Sequence, residues 1–185
     1  MLKRRQVFAG FGMALVLGMG LAVLVSIWPV PREEMTSFLE AAGGGAAASV
    51  NVTRPAWLRL GSTAEVRMEI TRLGREDPAS SGWAWVARLS STDLEVTPSE
   101  EQAASITGPG EQWTFDWNVL ARTGDAASSL TLSQRSYEDG GIVDTILLAR
   151  FLTFEVRRPL LSTGLGVFGL AAGVGCLILA RRGGG

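Results

Sequence analysis

The chain has 185 residues, 46% of them hydrophobic, with 17 Lys+Arg against 18 Asp+Glu, 23 glycines, one cysteine and no histidine. The lack of histidine, with Cys176 as the single thiol, excludes a Ser-His-Asp or Cys-His centre, a zinc or copper site of the usual nitrogen/sulfur type and His-ligated haem. Lys3, Arg4, Arg5, Arg181 and Arg182 stand at the ends without an acid, while residues 30–158 hold 12 cations and all 18 acids, so no basic face is left for nucleic acid.

The run 7–28 carries no charge. At about 1.5 Å per residue it matches a bilayer core of roughly 30 Å, and it predicts a first transmembrane helix. A secretory signal peptide would have an apolar region of only about 7–15 residues followed by an A-x-A-like site. Trp28-Pro29-Val30-Pro31 offers none, so the run reads as an uncleaved anchor, with the small residues at 41–49 keeping late cleavage open. Within the run Gly10, Ala14, Gly18, Ala22 and Ser26 recur every fourth position and form one shallow ridge. Such ridges let helix backbones approach closely, which predicts a helix-packing interface with other membrane-protein subunits.

Residues 29–48 form a connector. Ser37 and Glu40 fit a capping box, and 33–42 reads as a short juxtamembrane helix followed by a Gly/Ala hinge over 43–48. The segment 49–158 suits one compact domain of about 110 residues. Its period is two: Ala64, Val66, Met68 and Ile70 alternate with Glu65, Arg67, Glu69 and Thr71. A half-buried strand requires this, because successive side chains face opposite sides. The pattern recurs at Trp83, Trp85, Ala87 and Leu89, at Leu94 and Val96, at Trp113, Phe115, Trp117 and Val119, and at Leu130 and Leu132. An opening strand at 49–53 and a long last run at 142–156, bent near Ala149-Arg150, complete the set. Turn chemistry separates them at 73–75, 77–82, 107–110, 124–125 and 139–141.

The second uncharged run, 160–180, ends at Arg181-Arg182 and carries Gly169 and Gly173 in a G-x-x-x-G. Basic residues outside both runs and acids between them place both termini in the cytoplasm and the middle outside, in a two-pass protein of the cytoplasmic membrane. The fold class expected is therefore an all-β extracytoplasmic domain, an antiparallel immunoglobulin-like sandwich of about seven strands, flanked by N- and C-terminal transmembrane α-helices. One lysine against 16 arginines is a bacterial bias.

Three motif lookalikes carry little. Gly164 to Gly169 spells G-x-G-x-x-G, but no βαβ unit with a later acid follows it. Leu160-Leu161-Ser162-Thr163-Gly164 looks like the L-P-x-T-G sorting signal of Gram-positive surface proteins, with Leu161 where the proline stands, and stop-transfer is the simpler reading. Asn51-Val52-Thr53 is a glycosylation sequon. Lys3 is the single lysine, so the domain can hold no Ser-Lys dyad, and catalysis would rest on carboxylates such as Asp93, Glu95, Glu100, Glu101, Asp116, Glu138 and Asp139. Solvated acids at turns are the ordinary case. The expectation is no catalytic residue, metal or cofactor, no nucleic-acid partner, and contact with the lipid bilayer. The function expected is a non-catalytic accessory or scaffold subunit of a larger membrane complex. A membrane-tethered binding module or envelope sensor is the alternative, and a carboxylate hydrolase ranks third.

Overall fold

The computed structural model describes residues 2–40, 45–73, 82–105, 108, 110–138, 140–158 and 163–182. The chain divides into two compact units, one of Met1–Pro29 with Arg158–Gly185 and one of Val30–Arg157.

The larger unit holds ten described strands: β1 Arg32–Glu40, β2 Ala46–Pro55, β3 Trp57–Arg59, β4 Thr63–Arg72, β5 Gly82–Ser90, β6 Leu94–Thr97, β7 Gln102–Ser105, β8 Gln112–Ala121, β9 Ala126–Glu138 and β10 Gly141–Arg157. They form two five-stranded sheets, β1-β2-β4-β8-β6 and β3-β10-β9-β5-β7. All pairs are antiparallel except β3 with β10. The unit is a β-sandwich.

Alternation creates its core. Val50 and Val52 of β2, Val66, Met68 and Ile70 of β4, and Phe115, Trp117 and Val119 of β8 belong to the same buried cluster as Trp85, Ala87 and Leu89 of β5, Leu130 and Leu132 of β9, and Leu152 and Phe154 of β10. Each buried Val, Leu, Ile, Phe or Met contributes about 1.5–3 kcal/mol relative to exposure. Trp85 meets Trp113 edge to face, ring centroids 6.2 Å apart, and Phe115 lies against Trp117 at 6.4 Å. The side chain of Trp83 lies outside the described residues.

Several expectations are corrected. The connector is no helix: β1 runs antiparallel to β2, with Phe38 opposite Ser49 and Met35 opposite Val52. Met35, Ser37 and Leu39 are the less exposed residues of β1, and period two prevails over the apparent capping box because this face completes a sheet. The strands number ten among the described residues instead of about seven, since β1, β3 and β7 lack a long alternating run. The irregularity expected near Ala149 is a register shift between Ile146 and Leu148.

The smaller unit contains α1 Leu2–Ile27 and α2 Thr163–Arg182. Among the described residues no helix is long and apolar enough to cross a membrane. This overturns the transmembrane reading of 7–28 and 160–180. The fold class with flanking transmembrane helices falls with it, as does the two-pass localisation with cytoplasmic termini and an extracytoplasmic domain.

The core yields a direct test. Nε1 of Trp117 is buried without a hydrogen-bond partner, so its removal relinquishes no bond. Trp117→Ala should cost about 3–5 kcal/mol through the cavity it leaves. Trp117→Phe should cost well under half of that, measured by urea unfolding; equal losses would contradict this account.

Candidate functional site

The β9–β10 hairpin places an apolar strip in solvent. Its strands meet at Gly141 opposite Glu138, and Gly140 takes φ 82°, a left-handed turn conformation in which a side chain is strained. Ile142 stands opposite Tyr137, and Ile146 opposite Ser133. Paired residues share a face. The buried Ser136 and Gln134 mark the inner face of β9, so Tyr137, Ile142 and Ile146 lie on the outer one. Tyr137 is 64%, Ile142 59% and Ile146 66% exposed, and Phe151 further along β10 reaches 85%. Large apolar side chains gathered on one exposed surface are the usual mark of an interaction site.

On the same face, on the rung between Ile142 and Ile146, lies a two-bond ion pair. Asp144 accepts two hydrogen bonds from Arg135, from Nε and Nη2, both at 2.7 Å. Arg135 Nη2 also donates to Glu101 at 3.1 Å, linking the hairpin to the segment before β7. The hydrogen bonds from Arg135 hold the Asp144 carboxyl below its ordinary value of 3.8, against a smaller opposing effect of burial. The bonds to Asp144 likewise raise the Arg135 guanidinium above its usual range. This parallel two-bond geometry fixes the side-chain orientation of both residues next to the apolar strip.

Most other acids considered for catalysis have structural partners. Asp116 accepts from Arg67 Nε at 2.7 Å, and Glu95 accepts from Arg122. Asp93 belongs to a turn in which Ser91 Oγ accepts from the Asp93 and Leu94 amides and donates to the Ala127 carbonyl at 2.6 Å. Glu100 is exposed, while Asp139 and the Glu138 side chain lie outside the described residues. Asp93 and Asp125 also line a shallow cleft of about 390 Å³ with Phe154 and Glu155. Among the described residues no cluster of three His, Cys, Asp or Glu side chains suits a metal ion.

The residues expected to pack helices divide between two faces. A Cβ built on Gly173 would lie 2.8 Å from Val16 Cγ2 and 3.2 Å from the Gly12 carbonyl oxygen, and one on Gly169 would meet the Met19 side chain at 2.7 Å. The α2 glycines therefore sit tightly against α1. On α1 the contact is made by Gly12, Leu15, Val16 and Met19, whereas a Cβ on Gly10 or Gly18 meets nothing within 4 Å. Ala14 is exposed, Ala22 is half-buried, and the Ser26 side chain is outside the described residues. Gly12 has no place in the fourth-residue ridge. Its signal was the stripe 12, 15/16 and 19, which follows the helical period but mixes small and large residues.

No family model matches the chain, and no curated protein does. Among solved structures it is similar to the Escherichia coli α2-macroglobulin fragment from domain MG7 to the C-terminus: 17% identity, 70% of this chain, 17% of that one, TM-score 0.44. The native conformation of E. coli α2-macroglobulin matches at 20% identity, 62% of this chain, 7% of that one, TM-score 0.47. A conjugative transposon lipoprotein from Bacteroides eggerthii matches at 13% identity, 60% and 98% of the two chains, TM-score 0.37. The chain spans less than a fifth of the α2-macroglobulin chains it matches. These scores carry no argument about function.

Two outcomes follow. Gly12→Cys should form an intramolecular disulfide with Cys176 under mild oxidation, because a Cβ at 12 lies 3.3 Å from the Cys176 Cβ, close to the roughly 3.5–4.5 Å a disulfide requires. Gly18→Cys should remain open to alkylation; mass spectrometry showing the reverse would refute the helix pairing. Arg135→Ala should return the Asp144 pKa towards 3.8 by NMR titration. Because the folded pKa lies below the unfolded one, the wild-type stabilisation is complete above about pH 4 and is lost as pH falls through the folded value. The variant should therefore lose that part of its pH dependence.

Proposed function

We propose that the chain is a non-catalytic accessory or scaffold subunit that works by protein–protein contact. The observation that carries this reading is the exposed Tyr137, Ile142 and Ile146 flanking the Arg135–Asp144 pair on one face of the hairpin. An interface patch of apolar and aromatic side chains, oriented by a fixed polar neighbour, is suited to docking on another protein surface. The ridge of Gly10, Ala14 and Gly18 supports the reading as a second flat contact, since a Cβ on Gly10 or Gly18 would meet nothing within 4 Å.

The test is co-isolation of the full chain from its native source by an affinity tag. A stoichiometric partner is expected, and an Ile142→Glu, Ile146→Glu double variant should retain at least tenfold less of it while unfolding at the same temperature. A chain that purifies alone, or a variant that retains the partner fully, would sink the proposal.

A further inference from the structure

We propose that the open edge of β10 receives an extended, acidic segment of the partner polypeptide, added as a strand along residues 149–153. This rests on the reading of the chain as a protein-contact subunit and names how the contact is made. β10 is 17 residues long and pairs with β9 along most of its length. On its other side β3 covers only Glu155, Val156 and Arg157. Among the described residues no strand continues the line of β3.

The backbone there faces outward. The Arg157 carbonyl accepts from the Leu60 amide and so points to the β3 side. The Thr153 carbonyl accepts from Arg54 Nη1 across the mouth of the sandwich, so it points the same way. The Ala127 carbonyl, opposite Thr153, accepts from Ser91 and points away from β10. With period two, the amides and carbonyls of Phe151 and Ala149 also point to the open side. A row of alternating donors and acceptors at strand spacing is complemented by one kind of ligand, an extended polypeptide.

The side chains define that polypeptide further. Beneath the edge, between β10 and the edge strand β1 of the other sheet, lies a cleft of about 300 Å³ lined by Met35, Thr36, Ser37, Val52, Leu148 and Arg150. It takes inward-pointing apolar side chains of an added strand. Phe151, exposed on the opposite face, offers an apolar cross-strand neighbour for the alternate residues. Arg54 has its counter-charge in Glu33 at 2.8 Å. Arg150, at the lip, donates to the Ser37 hydroxyl at 3.3 Å and is exposed, so its charge calls for a carboxylate on the incoming strand. A second copy of β10 meets this poorly: paired antiparallel about Phe151, it brings the two Arg150 side chains to the same inner face, diagonally adjacent, with no acid between them.

The experiment immobilises the full chain and offers it a displayed pool of random ten-residue peptides. Enriched peptides should alternate apolar and polar residues and carry Asp or Glu. Synthetic versions should slow hydrogen exchange at the amides of Ala149 and Phe151. Ala149→Pro removes an outward donor that β9 does not use, and proline is tolerated at such edge positions. It should weaken binding at least tenfold with an unchanged melting temperature, and Arg150→Glu should shift enrichment towards basic peptides. If Ala149→Pro melts early, Phe151→Lys serves instead, as an edge lysine opposes pairing without entering the core. Enrichment without alternation, equal binding by Ala149→Pro, or protection of these amides by self-association before peptide is added would overturn strand addition. Loss of the native partner in the Ile142→Glu, Ile146→Glu variant, with Ala149→Pro retaining it, would leave the contact function standing and remove this mechanism alone.

Discussion

The domain depends on one constraint: each of its sheets buries one apolar face, and water is excluded from both only when those faces lie against each other. Trp117, Met68 and Ile70 on one sheet and Trp85, Leu130 and Leu132 on the other are almost wholly buried. The hydrophobic term is non-directional, so it rewards any arrangement that closes these faces. The ladder registers then select one, because a slip by a single residue would turn every buried side chain into solvent.

Closing the faces leaves the edges unresolved. A sandwich, unlike a barrel, ends in strands whose outer backbone groups lack a neighbour. Here the two edges at one side, β1 and β10, are joined by few bonds. Arg54 bridges them by reaching the Thr153 carbonyl, lying over the Phe154 ring at 5.4 Å and pairing with Glu33. Arg150 reaches Ser37. Between these bridges lies the cleft lined by Met35, Ser37, Val52 and Leu148. The open edge thus lies where the sandwich is least able to satisfy itself.

The outer face of the β1-β2-β4-β8-β6 sheet follows a different rule. Arg32, Glu65, Arg67 and Asp116 form a chain of ion pairs across β1, β4 and β8, in which Arg67 is held above its usual pKa chiefly by its hydrogen bond to Asp116. Exposed pairs of this kind contribute little each. Their weight is in keeping this sheet face wet, so that its core-facing residues have one place to go. Most acids that a sequence reader would weigh as catalytic are, in the fold, partners of arginine or parts of a turn.

What the residues alone determined is the set of strands that bury an alternate face. Thr63–Arg72 and Gln112–Ala121 were legible because alternation is a local record of which side meets the core. The exclusion of histidine chemistry is likewise purely compositional. The tertiary structure decided the rest. β1 is a strand because β2 offers it a ladder, a non-local fact that its own capping-box pattern conceals. β3 and β7 are too short to show a period. The contact face of α1 runs through Gly12 and Val16 because α2 brings Gly173 there, and a ridge of small residues cannot say which neighbour will use it. The open edge of β10 was invisible for the same reason: whether a strand has a neighbour is a property of the whole sheet, settled only when every other strand has found its place.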